Sequence, residues 1–221
     1  AEPAAAGVDN VAAAAERQAQ LVALEPNPID TAWGAKRPPI PKAAVKPHLD
    51  QFSGEAAADK RLRIGADVAK AGAEAVVFTS PASLAWLFNI RGGDVKSSPL
   101  PLGAAILNAD GTGDLFLAPE KISAELGRWL GNEVILRDEA EFPLALQRLA
   151  GKKVSLAPAL ATASHFQTWA AAGARIIRQA DPCALPRARK NAVEVEGARQ
   201  AHLRDGAALT RYLHWLATEG Q

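Results

Sequence analysis

Apolar and polar positions divide the chain into unlike stretches. Residues 8–19 are alanine-rich and free of breakers, which predicts a helix, and Leu21-Val22-Ala23-Leu24 directly after them predicts a strand. A lone helix and strand bury little apolar surface. Residues 1–25 therefore read as the remnant of a preceding α/β domain. From 26 to 55 the pattern dissolves among Pro26, Pro28, Pro38, Pro39, Pro41 and Pro47. Proline fixes φ and removes a backbone donor, so an extended linker with little regular structure is expected. Trp33 is expected to anchor it against a neighbouring surface.

Regular patterning returns at residue 56. Residues 56–72 predict a helix with a basic outer face and Leu62, Ile64, Val68 and Ala71 available for packing. Ala75-Val76-Val77-Phe78-Thr79 predicts a buried strand. Ser80-Pro81 supplies an N-cap and a first-turn proline for a short helix over 82–86. Apolar runs at 103–108 and 114–118 flank Asp110-Gly111, a pair that favours the positive φ of a hairpin turn, so these strands should be antiparallel. A helix over 119–130, a strand at 133–136, a helix over 139–149, a strand at 154–156, a helix over 161–172 and a strand at 175–177 complete the series. Alternating elements plus one hairpin predict an α/β domain over 56–181, a mixed β-sheet flanked by helices, with enough chain for its own core.

Residues 182–221 differ again, reading as a linker and one long helix over 190–220. Val195, Ala198, His202, Asp205, Leu209, Tyr212, Leu213 and Leu216 recur near helical spacing. Asn191 as N-cap with Glu194 three residues on matches a capping box. The apolar face is longer than the preceding short elements can cover. Such a helix is expected to open a further, truncated catalytic domain, and to stay partly exposed or dock on another copy.

Charge adds little, since 25 basic and 24 acidic residues leave a net +1 spread along the chain. This disfavours nucleic acid as a partner. No run approaches the roughly 20 apolar residues of a membrane span, and the first residues lack the basic and apolar regions of a signal peptide. The absence of any methionine, even at position 1, leads to the expectation of a processed or trimmed chain. Cys183 is the sole cysteine, so no internal disulfide is expected and a reducing compartment suits the chain. With no adjacent His, Lys or Arg to stabilise a thiolate, Cys183 reads as a small packing residue.

Candidate chemistry is sparse. Arg91-Gly92-Gly93-Asp94 is not followed by the helix start of a phosphate-binding loop, and no Gly-x-Ser-x-Gly elbow occurs. His202 and Asp205 share a helix face without a second ligand pair, so a solvated or interdomain face is the preferred reading. His48 and His165 receive no role, and packing or capping explains His214. No catalytic and no metal-ligating residue is assigned. The loop carrying Asn89, Arg91 and Asp94 is the one candidate site: Gly92 and Gly93 let the backbone turn while the polar side chains orient a ligand. Alternatively, Arg91 and Asp94 pair with each other and staple the loop.

Ser83-Leu84-Ala85-Trp86-Leu87-Phe88-Asn89-Ile90-Arg91-Gly92-Gly93-Asp94-Val95 resembles the hallmark of the middle domain of three-domain Xaa-Pro aminopeptidases, the aminopeptidase P type of pita-bread metallopeptidase. Glu25-Pro26-Asn27-Pro28-Ile29-Asp30 with Trp33 and Arg37-Pro38 resembles the end of that family's first domain and its linker. Ala57, Asp59, Lys60 and Arg61 resemble the start of the middle domain. Lys190-Asn191-Ala192-Val193-Glu194 through Gly206-Ala207-Ala208 resembles the opening helix of the catalytic domain. The resemblance implies a creatinase/prolidase N-terminal-like, ribonuclease-H-like fold. It further implies a cytoplasmic enzyme that removes the residue preceding a proline, using two divalent metals, manganese expected, in a catalytic domain. The ligands of that domain have no counterpart here, so the chain alone is expected to hold no cofactor and to be inactive. Expected partners are the missing catalytic domain, a peptide with proline second, and a second copy in a parent homodimer. The loop with Asn89, Arg91 and Asp94 is expected to be substrate-proximal or interdomain. The competing reading is a non-catalytic protein-binding module with a peptidase-like α/β fold.

Overall fold

The linker carries more regular structure than its prolines suggest. The computed structural model describes residues 24, 26–162, 168–169 and 171–220. The helix expected over 8–19 and all but the last residue of the strand at 21–24 lie outside the described residues. Asn27 accepts a hydrogen bond from the Ile29 N–H and Pro28 opens α1 (Pro28–Trp33), because a first-turn proline has no intrahelical donor to lose. Further on lie β1 (Lys46–Pro47) and α2 (Asp50–Ser53), the latter closed by Gly54 at φ 68°. Val45 is buried and its N–H donates to the Lys121 carbonyl, which stitches the linker to the domain. Trp33 stays 41% exposed, so the described residues supply at most part of an anchoring surface for it.

In α3 (Ala57–Lys70) the expected basic outer face is corrected. Lys60 and Arg61 are buried along with Ile64 and Val68, whereas Leu62 is exposed. Residues four apart share a helix face, so Lys60 points inward with Ile64 and Val68. Then follow β2 (Ala75–Phe78), α4 (Pro81–Leu87), begun by Pro81, and β3 (Ile90–Arg91), which pairs antiparallel with β1. The hairpin forms as expected from β4 (Ala104–Asn108) and β5 (Gly113–Leu117).

The helix expected over 119–130 is divided. A 3-10 turn at Pro119–Lys121 ends in extended Ile122, and Ser123 then caps α5 (Ala124–Leu130) by accepting from the Leu126 N–H. After β6 (Val134–Asp138) the helix expected over 139–149 begins as a 3-10 turn at Glu139–Glu141, capped by Asp138, and continues directly as α6 (Phe142–Gln147). The chain continues through β7 (Lys153–Leu156) and β8 (Arg175–Arg178). It ends in α7 (Ala184–Ala188) and α8 (Ala192–Thr218). The helix expected over 161–172 lies partly outside the described residues.

Among the described residues six strands form one mixed sheet in the order β6-β5-β4-β2-β7-β8. The β5–β6, β2–β7 and β7–β8 pairs are parallel, while β2–β4 and β4–β5 are antiparallel. Successive side chains of a strand face opposite ways, so β2 feeds two cores. Val76 and Phe78 join Ile64, Val68, Leu84, Leu126 and Cys183 on one face. Ala75 and Val77 join Phe116, Phe142, Leu146 and Trp169 on the other. Burial pushes the Cys183 thiol well up from its ordinary pKa, in keeping with its packing role.

Candidate functional site

The candidate loop begins where α4 ends. Asn89 adopts φ 47°, a left-handed conformation that asparagine tolerates better than most residues. Its carbonyl accepts from the His48 N–H at 2.7 Å, which joins the loop to β1. The Asn89 side chain is only 1% exposed as a residue, and both of its ends are engaged. Oδ1 accepts from Lys60 Nζ at 2.6 Å. Nδ2 donates to Asp50 Oδ1, Ser53 Oγ and the Glu55 carbonyl at 3.2, 3.0 and 2.8 Å. Lys60 also donates to the Trp86 carbonyl and lies 4.6 Å from the centroid of the Trp86 ring. Burial lowers its pKa, opposed by the charges of Glu55 and Glu194.

Asp94 does not pair with Arg91. Its carboxylate accepts from Lys121 Nζ at 2.8 Å, the Leu102 N–H at 2.7 Å and the Ala43 N–H at 3.1 Å. The glycines between them serve close approach rather than a positive-φ turn. A Cβ on Gly92 would lie 2.7 Å from the Pro101 Cα, and one on Gly93 would lie 3.1 Å from the Ala43 Cβ.

Arg91 alone of the three faces open space. Its Nη1 donates to the Ala85 and Ile90 carbonyls at 3.1 and 2.9 Å, and no ion pair to it is present among the described residues. Burial lowers its pKa, partly offset by Glu194. It lines a groove of about 670 Å³ with His48, Phe52, Val193, Glu194 and Gln200. His48 stacks on Phe52 at 5.9 Å, and its pKa is lowered by burial and then by the charges of Arg91 and Lys60. A volume of this order admits a small ligand or a few residues of peptide.

A second groove, of about 610 Å³, is lined by Arg63, Trp86, Arg189, Asn191 and Glu194. Asn191 also caps α8: its Oδ1 accepts from the Glu194 N–H at 2.9 Å, and Glu194 returns a bond from the Asn191 N–H. His202 and Asp205 are exposed on α8, where His202 Nδ1 lies 2.8 Å from the Ala198 carbonyl. Among the described residues no three His, Cys, Asp or Glu side chains converge. These residues therefore do not fit a two-metal centre, and no hydrolytic step is derived through them.

Sequence reasoning missed Lys60, Lys121 and His48. For Lys60 a signal existed in its spacing to Ile64 and Val68. For Lys121 it did not, because Asp94 and Leu102 are far away in the chain. For His48 only the nearby Phe52 is local, while Asn89, Arg91 and Val193 are distant.

Residues 36–194 match the creatinase/prolidase N-terminal domain family. The chain belongs to that family. The probable Xaa-Pro aminopeptidase P of Talaromyces stipitatus is 33% identical over 208 residues, covering 90% of this chain and 32% of that protein. Its counterpart in Blastomyces gilchristii is 32% identical over 212 residues, covering 90% and 34%. The chain thus spans about a third of the length of these curated relatives. Among solved structures, an X-prolyl aminopeptidase from Caenorhabditis elegans, described as cytosolic with a di-nuclear active site, superposes with a TM-score of 0.85. It is 22% identical, and the match covers 96% of this chain and 35% of that one. At such identity the likeness bears on fold alone: a creatinase/prolidase N-terminal-like mixed sheet flanked by helices, followed by a long C-terminal helix. Among the described residues no helix is long and apolar enough to cross a membrane.

Proposed function

We propose that this chain is a non-catalytic portion of a cytoplasmic Xaa-Pro aminopeptidase, a metallopeptidase that releases the first residue of a peptide whose second residue is proline. The observation that carries the reading is the alignment of 90% of the chain with one third of relatives named Xaa-Pro aminopeptidase P. On this reading residues 1–25 end a first domain, 26–55 form the linker, 56–181 the middle domain, and 182–221 the linker and opening helix of the catalytic domain. Two divalent metals, manganese foremost, belong to the remaining two thirds and supply the charge stabilisation that peptide hydrolysis requires. The residues of this chain bind and orient: Arg91 presents a guanidinium to the groove at the root of α8, while Asn89 and Asp94 hold its loop in place. A second copy of the parent is the further partner proposed.

Hydrolysis of an Arg-Pro-Pro peptide with added Mn²⁺ tests the reading, using the 221-residue chain beside the longer parent protein. Release of arginine by the parent alone is the expected outcome. Activity in the 221-residue chain would overturn the non-catalytic assignment, and inactivity of both would favour a protein-binding module. In the active parent, Arg91→Ala should raise KM or lower kcat while leaving the fold intact. Unchanged kinetics would remove Arg91 from any substrate-proximal or interdomain role.

A further inference from the structure

The longest helix is held at its root. Among the described elements α8 packs chiefly against the four-residue α2, and every residue from 202 to 220 is exposed. Open grooves border the root of α8, one lined by His48, Phe52 and Gly197 and the other by Trp86 and Arg189. Little but the contact between α2 and the α8 cap then fixes the direction in which the helix leaves the domain.

That contact is polar and specific. Asn191 Nδ2 donates to the Ser53 carbonyl at 2.7 Å, while Oδ1 caps the first turn at Glu194. Ser, Thr or Asp would supply the capping acceptor equally well, but of the preferred caps only asparagine adds a side-chain N–H donor beside it. Gly54 leaves room for the Asn191 side chain: a Cβ there would stand 2.5 Å from Asn191 Oδ1, and φ is 68°. Ser53 is itself 3% exposed, with its Oγ accepting from Asn89 and donating to the Glu55 carbonyl. Asn89 in turn is gripped by Lys60. A continuous run of hydrogen bonds therefore leads from the buried core to the helix cap.

We infer that Asn191, seated on Ser53 and Gly54, is the pivot that positions α8, and that Asn89 fixes its seat. At a rise of ~1.5 Å per residue, a turn of about 10° at the pivot moves the far end of a helix this long by roughly 7 Å. The consequence for catalysis rests on the function proposed above; the positioning itself does not.

Spin labels at Lys70→Cys on α3 and Arg204→Cys on α8 read the angle in this chain, since Cys183 is buried and labels poorly. Asn191→Asp keeps the capping acceptor and loses the donor. Helix content by circular dichroism and the melting temperature should stay unchanged while the inter-label distance distribution broadens. Gly54→Ala should displace the mean distance. If Gly54→Ala unfolds the chain, the Asn191→Asp distribution decides alone. A distribution identical to that of the parent chain in every variant that folds would overturn the pivot. In the longer protein, Asn191→Asp should lower kcat/KM several-fold at unchanged melting temperature. A longer protein without any peptidase activity would sink the proposed function while leaving the spin-label result in force.

Discussion

Two buried charges carry the sharpest expectations at the level of single residues. The side chains of Lys121 and Asp94 are both fully buried and 2.8 Å apart. Lys121→Met leaves a buried carboxylate with two backbone donors and no counter-ion, which should cost about 3–5 kcal/mol. Urea unfolding measures this, and adding Asp94→Asn should restore part of the loss. Lys42→Ala, which breaks a half-exposed pair with Glu120, should leave the midpoint nearly unchanged. His48 behaves differently. Burial and the nearby Arg91 charge hold its folded-state pKa below the ordinary imidazole value, so the unfolded chain takes up this proton first as pH falls. Stability contributed by neutral His48 is present above about pH 6.5 and declines as pH drops from there toward the lowered folded value. Urea midpoints between pH 7.5 and 5.5, both approximate limits, should fall more steeply for the parent chain than for His48→Gln. Equal slopes would show that His48 is no more shielded folded than unfolded. These roles were unevenly legible. Position 60 shares a helical face with Ile64 and Val68, which announces an inward lysine, but that Lys121 would meet Asp94 depends on a break at Ile122 that no periodicity shows.

At the scale of elements, the same substitution should act in opposite directions on two helices. A Cβ on Gly65, inside α3, would stand 2.7 Å from the Ala109 carbonyl at the end of β4, a backbone atom. Gly65→Ala should therefore destabilise by about 1–3 kcal/mol, the usual cost of overpacking, although alanine is the better helix former. In α5 the nearest atom to a Cβ on Gly127 is Leu136 Cδ1 at 4.0 Å, an ordinary contact. Gly127→Ala should stabilise by about 0.5–1 kcal/mol. Thermal melts of the two variants check the pair, and a gain in both would mean that α3 is free to draw back from the hairpin. The hairpin, the central strand and the Asn191 capping box were readable because their signals are local: Asp110-Gly111, an unbroken apolar run, and an Asn three residues ahead of Glu. The break at Ser123 inside the helix expected over 119–130 was not. There a side-chain oxygen takes up a backbone N–H group inside a stretch whose apolar spacing continues undisturbed.

For the molecule as a whole, stability should be distributed unevenly. The sheet is packed on both faces, as the alternation within β2 requires, whereas α8 leaves its cap at Asn191 and runs from residue 202 onward with every residue exposed. Leu209, Tyr212, Leu213 and Leu216 then lie in solvent at 38–57% exposure, on the helix whose apolar face exceeded what the short elements could cover. Helix alone holds their amides, and an isolated helical segment is marginal in water. Hydrogen exchange followed by mass spectrometry should give amides 209–215 a protection far below that of β2, and one indifferent to global stability. Lys121→Met separates the two cases. It should speed exchange in β2 by the factor corresponding to its loss of unfolding free energy and leave 209–215 unchanged. If both segments respond together, α8 is coupled to the core along its length and not at its root, and the single pivot at Asn191 would no longer account for its position.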